Sequence, residues 1–521
     1  MSDAPAADSQ LDTIRAGYAF PGAALDLGAA VSGGVAHPDA PVRIPLAVLN
    51  RHGLVAGATG TGKTKTLQLM AEQLSAQGVP VFLADVKGDL SGMASAGETG
   101  DRVASRAGEV GQTWAGTAYP TEFLSLGGLG RGVPVRATVT SFGPTLLAKV
   151  LGLNATQESS LGLVFHYADR SGLALLDLKD LRAVIGHLTS AEGKADLKDL
   201  GGLSTATAGV ILRNLIALSD QGADVFFGEP ELDTADLLRT AADGRGIVTC
   251  LELPAVQDRP RLFSTFLMWM LADLFHDLPE VGDVDQPKLV FFFDEAHLLF
   301  DEASPAFVDA IEQTVRLIRS KGIGVFFVTQ TPKDVPSGVL SQLGNRVQHA
   351  LRAFTPEDAK ALKATVSTFP RSGYDLGELL TQLGTGEAVV TVLSDRGAPT
   401  PVAWTRMRAP QSLMAPSPEA VVDEVVGSSP LSTKYAEVLD RESAYERLQA
   451  RLAAAPAPDA APVPAPAAPA PAPRGRAPKE QESAVQQVLG SSAVRSMLRS
   501  AGTALGREIT RSLFNTARRR R

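Results

Sequence analysis

Gly57-Ala58-Thr59-Gly60-Thr61-Gly62-Lys63-Thr64 fits the pattern G-x-x-x-x-G-K-[ST]. The residues before it, Leu54-Val55-Ala56, form a short apolar run suited to the end of a buried strand. The residues after it, Lys65 to Leu74, carry Leu67, Met70, Ala71 and Leu74 at helical spacing. Strand, glycine-rich loop and helix in that order are the setting in which the motif binds phosphate. The glycines let backbone N–H groups turn inward around phosphate oxygens, and the helix N-terminus adds partial positive charge. The binding set is Gly57, Ala58, Thr59, Gly60, Thr61, Gly62, Lys63 and Thr64, with Lys65 beside it. In this pattern Lys63 reaches the β- and γ-phosphates and Thr64 ligates Mg²⁺. The expected ligand is therefore ATP with Mg²⁺.

A loop of this kind needs an acidic partner strand. Leu289-Val290-Phe291-Phe292-Phe293 is an unbroken apolar run followed by Asp294-Glu295. Such a run suits a strand buried on both faces of a parallel sheet. Acids at its end are costly without a task. Asp294 is expected to hold Mg²⁺ through water and Glu295 to act as general base on the attacking water. A solvated strand end is the plain alternative. His297 either responds to this site or simply packs.

Other strands follow. Pro80-Val81-Phe82-Leu83-Ala84-Asp85 ends in Asp85-Val86-Lys87-Gly88-Asp89. Ligands in doubly wound sheets sit at strand C-terminal ends, so Asp85 is either an active-site residue or the cap of a turn. Gly322 to Gln330 reads as a buried strand with a polar end. Gln330 there either bonds the γ-phosphate or attacking water, or is a turn-forming amide before Thr331-Pro332. Ile247–Leu253, Asn345–Leu351 and Glu387–Leu393 read as further strands, and Val42–Leu46 as an edge strand ending at its proline. Arg261–His276 and Phe307–Ser320 read as helices, the second amphipathic with Arg316 and Arg319 on a polar face.

These elements predict an α/β fold, a P-loop NTPase core around a parallel-rich sheet. The expected organisation is lead-in strands over 1–50 and the core over 51–430, with 90–245 a mainly helical insertion. A helix over 431–452, an Ala/Pro linker over 453–478 and a basic amphipathic tail over 479–521, disordered or helical, complete it.

Composition narrows the class. A hydrophobic share of 44% with 20% charged residues is ordinary for a globular protein of several domains. No run of about 18 apolar residues suggests a membrane span. The start, Met1-Ser2-Asp3-Ala4-Pro5, lacks a signal-peptide core, so a cytoplasmic location is expected. The single cysteine, Cys250, excludes a disulfide framework and reads as a core thiol. The histidines show no zinc-ligand spacing. The net charge of −8 is uneven: Arg474–Arg521 holds eleven Lys/Arg against three Asp/Glu, net +8, which leaves −16 for the rest. A basic tail on an acidic body suits DNA or an anionic membrane surface.

The assembled motifs resemble a family. Asn50-Arg51-His52-Gly53 leading into the loop, the strand end Asp85–Asp89 and the segment Arg319–Pro332 are similar to the HerA–FtsK superfamily of motor ATPases. Gln342–Pro356 and the basic tail resemble a bacterial HerA-like group within it. The resemblance covers about residues 20–450 and the tail. It implies a RecA-like ATPase core that assembles into a ring, often a hexamer, in which an arginine of one subunit reaches its neighbour's nucleotide. Arg319 matches that arginine, and Arg51 matches a second one expected to act within its own subunit. Only about fifty residues precede the loop. That is too short for the N-terminal barrel of HerA, so HerA's nuclease partnership is not carried over. Three readings stand: a DNA translocase or helicase-like motor, an ATPase acting on protein, and a membrane-tethered ATP-dependent scaffold.

Overall fold

Among the described residues, twelve strands form a single sheet. The computed structural model describes residues 4–454, apart from 198, 199, 283, 302 and 395. The strands are β1 (Ala24–Ser32), β2 (Val35–Pro45), β3 (Gly53–Ala56), β4 (Val81–Asp85), β5 (Thr121–Leu126) and β6 (Val133–Val135). The rest are β7 (Val248–Glu252), β8 (Leu289–Phe293), β9 (Ile323–Thr329), β10 (Asn345–His349), β11 (Glu387–Thr391) and β12 (Ala403–Met407). They form one sheet in the order β2-β1-β12-β11-β10-β3-β9-β8-β4-β7-β5-β6. From β10 to β6 every neighbouring pair is parallel. From β10 back to β2 every pair is antiparallel.

The alternation of strand side chains feeds two large apolar clusters, one on each face of the parallel strands. In β8, Leu289, Phe291 and Phe293 join one apolar cluster, while Val290 and Phe292 join the other. A strand with both faces covered must be apolar throughout, as this one is. Each buried phenylalanine is worth about 1.5–3 kcal/mol. The helix Lys63–Ala76 covers one face with Leu67, Met70, Ala71 and Leu74. The helices Pro260–Asp277 and Pro305–Ile318 cover the other. Cys250 is buried on β7.

Several expectations need correction. Residues 90–245 hold two strands besides their helices. β5 and β6 lie within that stretch and extend the parallel sheet beyond β7. The helices Val139–Val150, Ala155–Arg170, Leu178–Thr189 and Thr205–Asp220 then pack into the cluster that includes Leu124, Val133 and Phe291. The region 1–50 is part of the same sheet, since β1 pairs with β12 and β2 is its terminal strand. The helix expected over 431–452 is two, Pro430–Tyr435 and Ala444–Ala454. Between them Leu439 N donates to Glu229 O at 3.1 Å, which holds that segment extended. The Ala/Pro linker from 455 on and the basic tail lie outside the described residues. Among the described residues, no helix is long and apolar enough to cross a membrane.

Candidate functional site

The glycine-rich loop joins β3 to the helix Lys63–Ala76 at the C-terminal end of the parallel strands. It is anchored on both neighbours: Gly57 N donates to Thr329 O at 3.2 Å and Ala58 N to Ala350 O at 2.8 Å. Two positions require glycine. Gly57 has φ 156°, and a Cβ there would lie 2.5 Å from His349 Cβ. Gly62, at φ 115°, is the left-handed residue that starts the helix. The N–H groups of Lys63, Thr64 and Lys65 fall in its first turn, where no helical acceptor exists. Burial pulls the Lys63 ammonium below its ordinary pKa, while Glu295 and Asp294 act to restore it. Its Nζ donates to Ala58 O at 3.2 Å. Thr64 is half-buried beside it. Lys65 Nζ donates to Gln68 Oε1 at 3.2 Å, and burial lowers its pKa against the pull of Asp89 and Asp85.

His349, at the end of β10, forms the floor of this loop. Its Nδ1 lies 2.8 Å from Glu387 O, so the N–H is there. Its Nε2 then accepts from Thr66 Oγ1 at 2.9 Å. Burial pushes its pKa down to about 4, which keeps the ring neutral and this tautomer in place.

Asp294 and Glu295 follow β8 at the same end of the sheet. Asp294 is buried and its Oδ2 has no hydrogen-bond partner. Burial, then the Glu295 charge, pushes its pKa up to about 7. Glu295 has φ 47°, a left-handed conformation worth about 1–3 kcal/mol of strain in a non-glycine residue. Burial alone would raise its pKa, but its bond to Lys87 overrides this and holds the carboxyl below its ordinary range. His297 Nδ1 lies 3.3 Å from the other carboxyl oxygen, Oε2, beside the acid rather than in the core.

Asp85 is the cap of a turn. Its Oδ1 accepts from Lys87 N at 3.2 Å and Gly88 N at 2.7 Å, and its Oδ2 from Leu90 N at 2.8 Å. Both oxygens thus carry backbone donors, which is the turn-cap alternative for Asp85. Burial still pushes it up to about 6. Its neighbour in register on β7, Glu252, is pushed up to about 8 by burial and by Asp85.

Gln330 is exposed just past β9. It lines a cleft of about 430 Å³ with Ala58, Thr59, Lys333, Arg352 and Phe354. It thus stands beside the loop.

The arginines are elsewhere. Gly53 pairs with Phe326 and Ala56 with Thr329, so β3 and β9 run side by side in the same direction. Arg51 precedes β3 and Arg319 precedes β9, both at the end of the sheet opposite the loop. The turns Leu46–Arg51 and Arg319–Lys321 pack together. At about 3.3 Å per residue, roughly 15–20 Å of strand separates Arg51 from Gly57. The expectation that Arg51 acts on its own subunit's loop is therefore corrected. His52, between the two arginines, donates from Nε2 to Val315 O at 2.6 Å and accepts at Nδ1 from Val325 N at 3.1 Å.

Sequence reasoning passed over Lys87 and His349. Lys87 lies inside a quoted motif, but its reach to β8 depends on strand order. His349 looked like any polar residue of a strand.

A mostly parallel sheet, a glycine loop opening a helix, and paired acids on a strand two places away define a protein of the P-loop NTPase fold. The helicase HerA-like C-terminal family model matches residues 32–521, and the chain belongs to that family. A probable helicase of Methanocaldococcus jannaschii is 32% identical over 120 residues, 22% of this chain and 21% of that protein. The match thus spans about a fifth of that relative's length. Among solved structures, the plasmid coupling protein TrwB in complex with the ATP analogue ADPNP is 17% identical with TM-score 0.49, covering 77% of this chain and 98% of that one. VirB4 of Thermoanaerobacter pseudethanolicus is 13% identical with TM-score 0.44, covering 75% and 98%.

Proposed function

We propose that the protein is an ATP-hydrolysing motor that works as a ring. One observation carries the ATPase reading: Lys63, Asp294 and Glu295 share one buried site, and an Asp294 oxygen there lacks a partner. A buried carboxylate oxygen without a donor suits a cation or its water. Thr64 and Asp294 would hold magnesium, whose charge neutralises phosphate oxygens. The loop amides and Lys63 bind the phosphates of ATP and orient them. Glu295 takes a proton from water at the terminal phosphate, and Gln330 helps to orient that water.

The ring reading rests on Arg51 and Arg319. Both stand a strand's length from their own loop, so either reaches a nucleotide only on another copy. A hexamer is the assembly the family resemblance implies. DNA is the proposed track, since a relative that matches over 120 residues is named as a probable helicase. The acidic body, net −16 outside the tail, supports the second reading, an ATPase acting on protein. An anionic membrane surface is the third partner, through the tail.

Turnover measured with and without DNA and with anionic vesicles separates these readings. Lys63→Ala should abolish nucleotide binding. Glu295→Gln should bind ATP and lose turnover by at least about a hundredfold. Mixing Arg319→Ala with Glu295→Gln subunits should restore part of the activity. A fully active monomer would refute the shared site.

A further inference from the structure

The turn after β4 carries a cation into the acid pair. Asp85 accepts from the amides of Lys87, Gly88 and Leu90, three bonds that close this turn. The turn projects Lys87 from the end of β4 over the end of the adjacent β8, where its Nζ pairs with Glu295 Oε1. The partners are unequal: the Glu295 side chain is 7% exposed and the Lys87 side chain 48%. The acid is held in place, while the ammonium has room to move.

A carboxylate oxygen that accepts from an ammonium has less capacity to accept from water. For Glu295 to act on water through that oxygen, something must compete for Lys87. A terminal phosphate on the loop carries more negative charge than one carboxylate and presents three oxygens. Lys63 and Lys87 both interact with Glu295, so a phosphate drawn to Lys63 comes close to Lys87.

We propose that Lys87 is a positioning residue of the nucleotide site that reads the terminal phosphate. It pairs with Glu295 until a triphosphate draws its ammonium away, and the freed carboxylate then orients the attacking water. This rests on the nucleotide reading of the loop. A diphosphate, with no terminal phosphate at that point, leaves the pair closed. The Asp85 turn serves the device by holding the base of the Lys87 side chain still.

Equilibrium binding of ADP and of a non-hydrolysable ATP analogue to the full chain tests this by calorimetry. Lys87→Met should weaken the triphosphate by about ten- to a hundredfold and leave ADP unchanged. Glu295→Gln should tighten the triphosphate, because no carboxylate competes for the ammonium. In the double variant that gain should vanish. Lys87→Arg should keep the preference for the triphosphate. If Lys87→Met shows no cooperative melt, Lys87→Gln reads the same quantities. Equal weakening of both nucleotides, no weakening, or independent effects of the two substitutions would overturn the proposal. Absence of any nucleotide binding by the unmodified chain would instead overturn the nucleotide reading itself.

Discussion

β4 and β8 are adjacent strands with the same outward pattern, buried apolar residues leading to an aspartate. Ala84 pairs with Phe293, so Asp85 and Asp294 stand level with one another. Burial pushes both up, Asp85 to about 6 and Asp294 to about 7. Their surroundings differ. Asp85 is supplied with three backbone N–H donors from its own turn, whereas Asp294 keeps an oxygen with none. Buried polar groups in folded proteins are nearly always satisfied. An acid satisfied by its own backbone holds the chain together, and one left open is available to a ligand. Burial and pKa do not separate the two cases; the hydrogen-bond inventory does.

That contrast is open to direct attack. The largest effect expected is on Asp294. Asp294→Asn should lower turnover by about a hundred- to a thousandfold while the melting temperature holds or rises, because a buried charge next to Glu295 is removed. Unchanged steady-state turnover would take Asp294 out of the site.

Asp85→Ala should act in the opposite sense. Leaving three amides without their acceptor should cost about 3–5 kcal/mol of unfolding free energy. Urea titration measures it. A loss below about 1 kcal/mol would mean that water replaces the carboxylate and that the cap is not structural.

The same inventory applies to His349, whose folded pKa of about 4 lies below its unfolded value near 6.5. The unfolded chain binds the proton first, so this stability is complete above about pH 6.5 and is lost as the pH falls towards 4. The raised acids, Asp85 and Asp294, act with the opposite sign, so a difference between variants is needed. His349→Gln should narrow its gap to the unmodified chain by up to about 2–3 kcal/mol across that range. A gap independent of pH would show that the histidine is not held neutral.

The smallest effect is expected at the third strand end. Gln330 is exposed past β9, where Thr329 Oγ1 already donates to Asp334 Oδ2 at 2.9 Å. Gln330→Ala should lower turnover by about tenfold with no change in melting, since nothing buried is disturbed. A larger loss of stability than of turnover would make it a turn residue.

Much of the molecule is written in local chemistry. The loop from Gly57 to Thr64, the helix after it and the double-sided apolar run of β8 follow from glycine conformations, phosphate chemistry and side-chain period. Each of these acts over a few residues, so it can be read along the chain. The reading failed wherever a role depended on which strand lies beside which. Residues 121–135 look like part of a helical region until β5 pairs with β7. The segment near Leu439 looks helical until Glu229 supplies its acceptor. Asp85 and Asp294 look alike until their donors are counted. Lys87 became a partner of Glu295 only because β4 lies against β8, and Arg51 lost its expected role because β3 carries the chain away from it. Strand order is set by pairings between residues far apart in the chain, and no local pattern encodes the neighbour across the sheet.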